Sequence, residues 1–555
     1  MKKTRRWKWI LYPLVFLAGL LGLLTVYLTV VALEHPPEVA DKSSLSLQRQ
    51  QPSPGFFTLK NNWFRHSKSG FYELYVEGDP FERGVVNGKL TKELLKRQED
   101  HFTGQINKLV PSEFYRSFLK YFIGWFNRHL AENVTDEAKQ EIYGVSQSAP
   151  PEYEYIGSGY QRMLNYHAAH DIGHALQNLA LVGCTSFGTW NGRSADSTLI
   201  VGRNFDFYVG DKFAEEKIIA FYNPTRGYKL MTVTWAGFTG AVSGMNEKGL
   251  SVTLNAAPSE VPSGSATPVS LVAREVLQYA GNIAEAVEIV KKRKMFVAES
   301  FLVASAADNK AVIIEKTPEA VDVYDPNQNF IACTNHFQSK SLRGMKSNQD
   351  QLANSASPYR YQRLLELMQA SGKNTVQKTV DLLRDQRGLH GANIGLGNEK
   401  ALNQLMAHHA VVFQPQKRLV WISTSPYQLG QFIAYDLTKV FARRGMKKDE
   451  EVNEPALTIA ADPFLSSPDY LRYVKFRAFK HQIEAGEPVN ADSLVASNPE
   501  YYDTYRLAGD VLFKEKKPEL ALAQYRRGLT KVIATKKEEA ALREKVKKCE
   551  EILRE

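Results

Sequence analysis

Cysteine is scarce in this chain: Cys184, Cys333 and Cys549 are the three in 555 residues. They are odd in number, far apart and form no Cys-x-x-Cys pair, which excludes a disulfide framework and a cysteine zinc site. Net charge is also missing from the middle. The formal charge of +10 resides in residues 1–8, with five Lys/Arg, and in residues 511–555, with thirteen Lys/Arg against eight Asp/Glu. Everything between is neutral, so no nucleic-acid partner is expected for the body of the protein. The glycine-rich stretches GSGY and GLGNEK lack the Lys-Ser/Thr and following helix of a phosphate loop.

What is present starts with Trp9 to Leu33, 25 residues without a charge. About 20 apolar residues span a bilayer, and a cleaved signal has a shorter core and a small-x-small exit that VVALEHPP does not match. The basic residues 1–8 precede this run. The reading is a cytoplasmic tail over 1–8 and a single-pass anchor over 9–33, with the rest extracytoplasmic. Residues 34–58, rich in Pro, Ser and Gln, read as a linker. Residues 59–183 are expected to be mostly helical, as in TKELLKRQEDHFTGQINKLV.

After Cys184 the pattern turns to short strands in groups, then helices, then strands again, which predicts stacked sheet and helix layers over 184–445. Residues 446–490 read as a charged, irregular connector. Residues 491–555 read as a helical tail in which Tyr505, Gly509, Leu512, Ala521, Tyr525 and Gly528 have tetratricopeptide-type spacing. A single such hairpin is either a protein-partner site or a cap on the preceding domain.

Cys184 lies in Val182–Gly188, VGCTSFG, at the opening of the first strand-rich stretch. On its own it is a buried small hydrophobe, half of a disulfide, a metal ligand or a nucleophile. Four further stretches have the composition of a site: GRNFDF with Arg203 and Asp206, MNEKGLSVTLN ending at Asn255, FIACTNHF with Asn335, and SASPYRYQR with Arg360. Taken singly, each is as well read as a surface pair or a turn.

In this order and spacing, the stretch from about 160 to 430 resembles the cysteine amidohydrolases of the N-terminal-nucleophile superfamily. The resemblance is closest to the acyl-coenzyme A:6-aminopenicillanic acid acyltransferase branch. It extends more distantly to bile salt hydrolases, penicillin V acylases and acid ceramidase. GCTSF, GRNFDF and TNHF are the specific matches, and MNEKGLSVTLN is similar in form to the bile salt hydrolase branch. The resemblance implies a four-layer αββα fold and self-cleavage between Gly183 and Cys184. Cys184 would be the nucleophile and its freed α-amine the base. A free α-amine has a pKa of ~7.7–8.0 and a thiol one of ~8.5, so the amine takes the thiol's proton near neutral pH. The resemblance further implies that Arg203 favours the thiolate, Asp206 orients the amine and Asn255 donates to the oxyanion. Asn335 would position amine and substrate, and Arg360 would complete the network.

His167, His170, Asp171 and His174 share one helix face, a respectable metal spacing. They end ten residues before Cys184, and packing on the catalytic domain is the reading adopted: no metal and no cofactor are expected. Cys333 is expected to be a buried thiol in an apolar strand, and Cys549 incidental on a solvated helix. The sequence thus points to a membrane-anchored, self-processing amidohydrolase acting on a small N-acylated substrate. The alternatives are acyl transfer to an amine and an inactive scaffold binding a protein through its tail.

Overall fold

The computed structural model describes residues 4–31, 33–109, 112–176, 182–207, 211–260, 262 and 264–554. The protein is mixed α/β, with two sheets. The larger has eleven strands, in spatial order Gln50–Ser53, Phe56–Leu59, Asn62–His66, Tyr72–Gly78, Ile218–Pro224, Leu230–Thr234, Ser243–Asn246, Leu250–Ala256, Glu299–Ser305, Lys310–Lys316 and Val321–Tyr324. The smaller has six: Phe330–Cys333, Val182–Thr189, Ile200–Phe207, His409–Gln414, Leu419–Ser423 and Phe432–Asp436. Every neighbouring pair is antiparallel except Tyr72–Gly78 with Ile218–Pro224, which runs parallel.

Strand alternation explains the packing, because successive side chains point to opposite faces. From the larger sheet Trp63, Tyr75, Phe221, Met245 and Leu302 meet Val201, Ile331, Val411, Val420 and Ile433 of the smaller one in a single apolar cluster. The intervening residues of the larger sheet, such as Leu74, Val76, Val252 and Phe301, pack with Val86, Leu164, Val272 and Val276 on helices Pro80–Leu90, Gly159–Leu176 and Val269–Tyr279. Those of the smaller sheet, such as Phe187, Ile200 and Val412, pack with Leu364, Met368 and Val380 on helices Ser357–Ala370 and Val376–Leu383.

Three expectations are corrected here. Residues 50–78, read as linker and helix, form four strands. FFTL, NWFRH and YELYV are aromatic and β-branched, and Pro54-Gly55 with its left-handed glycine makes a hairpin turn. The span 446–490 is not wholly irregular: Pro468–Glu484 is a helix with Ser467 at its N-cap accepting from Tyr470 N–H, and Tyr473 and Phe476 pack into the apolar cluster of the tail. Cys549 is buried in that same cluster rather than solvated, against a tail built of helices Ala491–Ser497, Tyr502–Lys514, Pro518–Gly528 and Lys536–Ile552. Cys333 is buried in the inter-sheet cluster, as its apolar strand predicts.

The helix Thr4–Val31 contains Leu11–Leu28, apolar and long enough to cross a bilayer; a signal sequence passes the same test of length and composition.

The parallel pairing joins residues before Cys184 to residues after it through seven register pairs. A chain cut at Gly183–Cys184 is therefore expected to elute as one particle on native gel filtration and to separate into two only in denaturant. Separation under native conditions would contradict this packing.

Candidate active site

Strand Val182–Thr189 lies between Phe330–Cys333 and Ile200–Phe207 in the smaller sheet, so the residues of three separate motifs become neighbours through backbone pairing. In its register with Ile200–Phe207, Gly183 stands opposite Asp206, Cys184 opposite Phe205 and Ser186 opposite Arg203. Period two then places Cys184, Ser186, Phe205 and Arg203 on one face and Gly183 and Asp206 on the other.

Cys184 is 1% exposed. Its Sγ lies 3.7 Å from Arg203 Nη2. Arg203 is fully buried and held by main-chain carbonyls: Nη1 donates to Val242 O at 3.1 Å and to Ser243 Oγ, and Nη2 donates to Leu254 O. Its guanidinium also sits 4.2 Å from the centroid of the Phe205 ring. Burial pushes the Cys184 thiol up; Arg203 and Arg360 pull it down, and Asp206 and Glu299 push it further up. In the uncut chain the thiol is therefore kept protonated.

The backbone nitrogen of Cys184 donates to Asn335 Oδ1 at 3.0 Å. The same oxygen accepts from Arg360 Nη2, and Arg360 Nη1 donates to Glu399 O at 3.0 Å. Asn335 is fixed from its own side as well: its N–H donates to Ser357 Oγ at 2.8 Å and its Nδ2 to Ala256 O at 2.9 Å. Asn255 lies across the sheets. Its Oδ1 accepts from Ser186 Oγ at 2.6 Å, and its Nδ2 donates to Cys333 O and Thr334 O, both at 3.3 Å. Asp206 is buried, and its Oδ2 accepts from Gln404 Nε2 at 3.3 Å. Burial pushes its carboxyl up to about 8 although Arg360 and Arg203 pull it down.

Cys184, Arg203, Asp206, Asn335 and Arg360 are thus brought together, with Asn255 connected through Ser186 and the carbonyls next to Asn335. In the uncut chain it is Asn335, not Asp206, that holds the Cys184 nitrogen. Gly183 lets Gln404 pack close: a Cβ there would come within 2.4 Å of Gln404 Nε2 and would displace that amide from its place beside Asp206. Sequence reasoning missed Gln404, Ser357, Ser243 and Glu299. Glu299 is buried with neither carboxylate oxygen partnered, and burial beside Asp171 drives its carboxyl well above the usual range. Ser357 lies within the SASPYRYQR stretch itself, two residues before the Tyr359-Arg360 pair, whereas Gln404, Ser243 and Glu299 sit in no quoted motif and follow from tertiary contact alone.

His167 uses both ring nitrogens within the protein. Its Nδ1 meets Met163 O at 2.7 Å, and its Nε2 accepts from Thr239 N–H at 2.9 Å. Burial pushes it down to about 4. Its Nε2 lone pair is engaged, so it does not offer a metal ligand. The side chains of His170 and His174 lie outside the described residues. Asp171 Oδ2 accepts from Val269 N–H at 2.9 Å, tying helix Gly159–Leu176 to the start of Val269–Tyr279.

Beside the cluster is a largely apolar cavity of about 80 Å³ lined by Leu95, Phe102, Phe207, Phe213, Trp235 and Phe238, with the polar side chains of Gln98, Glu99 and Tyr166 also in its wall. Phe207 stacks on Phe205, the cross-strand partner of Cys184, at 5.5 Å between centroids.

Residues 190–425 match the model of the family described as "Acyl-coenzyme A:6-aminopenicillanic acid acyl-transferase". The matched segment contains Arg203, Asp206, Asn255, Asn335 and Arg360 and begins six residues after Cys184. Among curated proteins the chain is similar to an "Uncharacterized protein" of Archaeoglobus fulgidus, 26% identical over 264 residues, 42% of this chain and 41% of that protein. It is also similar to "Protein dcd1B" of Dictyostelium discoideum, 22% identical over 274 residues, 46% of this chain and 52% of that protein. The chain spans about half the length of these relatives. Among solved structures it is similar to a Caenorhabditis elegans N-acylethanolamine-hydrolyzing acid amidase ortholog, at 21% identity and TM-score 0.30 over 42% of this chain and 93% of that one. A mutant conjugated bile acid hydrolase of Clostridium perfringens gives 15% identity and TM-score 0.30 over 46% and 93%.

The raised Asp206 carboxyl has a measurable consequence. The folded chain binds that proton more tightly than the unfolded chain, whose Asp has a pKa of about 3.9. The contribution to stability is complete below about pH 4 and is lost as pH rises through about 8. In full-length Cys184→Ala protein, Asp206→Asn is expected to flatten the fall of melting temperature across that window. An unchanged slope would show that Asp206 does not titrate there.

Proposed function

We propose that the protein is a self-processing cysteine amidohydrolase of the N-terminal-nucleophile type, with Cys184 as nucleophile. One observation carries the reading: Arg203 and Asn335, from two distant motifs, meet the buried thiol and the nitrogen of Cys184, and Arg360, from a third, shares the Asn335 oxygen. The match of residues 190–425 to an acyltransferase family supports it. We read the two sheets with their helical covers as the αββα layering of that class, and the helices after Ala491 as a tetratricopeptide-like tail. Thr4–Val31 is read as a single-pass anchor that leaves the catalytic domain extracytoplasmic.

Activation requires cutting because a peptide nitrogen has no usable lone pair. The Cys184 thiol attacks the Gly183 carbonyl, the acyl group moves from nitrogen to sulfur, and water hydrolyses the thioester. The products are a Gly183 carboxylate and a free Cys184 amine. That amine takes the thiol's proton, and the thiolate adds to the carbonyl of a substrate amide. Arg203, 3.7 Å from sulfur, stabilises the thiolate. Asn335 holds the amine. Asn255, turning its Nδ2 from the carbonyls it now meets at 3.3 Å, donates to the oxyanion. The ammonium returns the proton to the departing amine, and the same amine activates the water that releases the acid. The largely apolar cavity beside Phe207 suits an acyl group without charge, which makes an N-acylated amine with an apolar acyl chain the substrate class. Water is the acceptor in this reading; an added amine would divert the thioester to transfer.

Two measurements test it. On a panel of N-acyl amines of graded acyl length, the wild-type protein is expected to prefer apolar acyl groups. Cys184→Ala is expected to lose turnover on the order of a thousandfold or more and to remain a single uncut chain by intact mass. Full turnover in that variant, or turnover by an uncut wild type, would overturn the mechanism. Asn255→Ala is expected to lower kcat on the order of a hundred- to a thousandfold. A collapse in melting temperature with normal turnover in the folded fraction would make Asn255 structural.

A further inference from the structure

The segment Leu389–Leu405 lies between the catalytic cluster and the C-terminal helices and touches both. Towards the cluster it presents two groups. Glu399 offers its main-chain carbonyl to Arg360 Nη1 at 3.0 Å. Gln404 donates from Nε2 to Asp206 Oδ2 at 3.3 Å and stands against the Cα of Gly183. Gln404 is 3% exposed. The groups that meet Arg360 and Asp206 are thus held by this one segment.

Its other side is gripped by the tail. Asn498 makes a reciprocal pair with Leu396: the Asn498 Nδ2 donates to Leu396 O at 2.8 Å, and Leu396 N–H donates to Asn498 Oδ1 at 3.2 Å. Asn398 Nδ2 donates to Val532 O at 2.8 Å, and Tyr501 Oη donates to Glu399 Oε1 at 3.2 Å. Gly395 has φ +85°, and a Cβ there would meet Tyr501 Cα at 2.4 Å, so the two backbones approach as closely as a glycine allows. Leu405, next to Gln404, is buried in the apolar cluster formed by Tyr473, Leu494, Tyr501 and the tail helices. Most of these partners lie about a hundred residues away, so the segment's shape is set from outside itself.

We propose that the C-terminal helices clamp Leu389–Leu405, and that Gln404 and the Glu399 carbonyl are positioning groups which that clamp holds against Asp206 and Arg360. The physical chain is short. The tail fixes the segment, the segment fixes Arg360 and Asp206, and Arg360 shares Asn335 Oδ1 with the Cys184 nitrogen. The tail then belongs to the active-site scaffold whether or not it also meets a protein partner. A ligand that displaced it would act on turnover through these bonds. The inference rests on the reading of Cys184 as nucleophile only for its effect on turnover.

The experiment separates the links. In full-length Cys184→Ala protein, Gln404→Met removes the donor to Asp206 while keeping the volume. Asp206 also faces Arg203, Arg360 and residue 184, which both proteins share. The lost bond favours the ionised carboxylate, so the melting temperature offset from the parent is expected to widen from pH 6 to pH 9. A constant offset is what packing alone gives and would overturn the role of Gln404. In the same background, Asn498→Ala with Tyr501→Phe is expected to raise amide exchange over 393–404 about fivefold or more, with the tail helices unchanged. Unchanged exchange there would overturn the clamp. In the processed enzyme the double variant is expected to lower kcat about tenfold with KM within about twofold; an unaltered kcat would also overturn the proposal. If wild type turned over no substrate while both physical changes appeared, the enzymatic reading would fall and the clamp would stand.

Discussion

Asn335 Oδ1 accepts two hydrogen bonds, one from the Cys184 nitrogen and one from Arg360. A single amide oxygen thereby ties the end of one strand, the residue after another and the first turns of a helix. A carboxamide oxygen has two lone pairs, and both are used here. Ala256 O accepts from Nδ2 of the same side chain and Ser357 Oγ from the backbone N–H, so these four hydrogen bonds hold the residue, three of them on its side chain. Nitrogen and sulfur of Cys184 are then held separately, nitrogen by Asn335 and sulfur by Arg203. In the mechanism proposed above, that separation is what would let one residue serve as nucleophile and base after a cut at its peptide bond.

The electrostatics of the cluster come from burial. Arg203, Arg360, Asp206 and Glu299 are all withdrawn from water, and an unpaired charge in such a place is costly. Arg203 answers this with main-chain carbonyls and a serine hydroxyl rather than with a carboxylate partner. Its charge therefore remains available to the sulfur. Asp206 and Glu299 respond differently: both are driven towards the neutral form. Cutting at Gly183 would place an amine among these groups, and the balance of charge would change with it. Burial thus favours the neutral form of the Cys184 thiol and of both carboxyls.

The scaffold makes that arrangement rigid. The larger sheet is one continuous surface in which a block of four strands before Cys184 adjoins a block of seven after it, and the parallel pair Tyr72–Gly78 with Ile218–Pro224 is the seam. The segment before Cys184 thus supplies strands and helices to the core. At the opposite side the tail reaches the cluster through Leu389–Leu405, so both ends of the chain bear on a site built mainly from its centre.

The amino-acid sequence by itself determined the local chemistry. Strand alternation in GRNFDF and GLSVTLN, the glycine before Cys184 and the Asn after the apolar FIACT strand were all legible, because each is a pattern of neighbours within a few residues. The six candidate residues were named from such patterns, and the structure brings them into one connected cluster. The tertiary structure alone decided the rest. Residues 50–78 became strands by pairing in series onto Tyr72–Gly78, which itself pairs with Ile218–Pro224, each register pair 146 residues apart, an outcome that Pro- and Ser-rich composition upstream concealed. Gln404 reaches Asp206, and Glu399 reaches Arg360, across separations of 198 and 39 residues. No local propensity encodes such a contact. A side chain's chemistry is carried in its own letter, but the group it meets is fixed only when the chain has folded back upon itself.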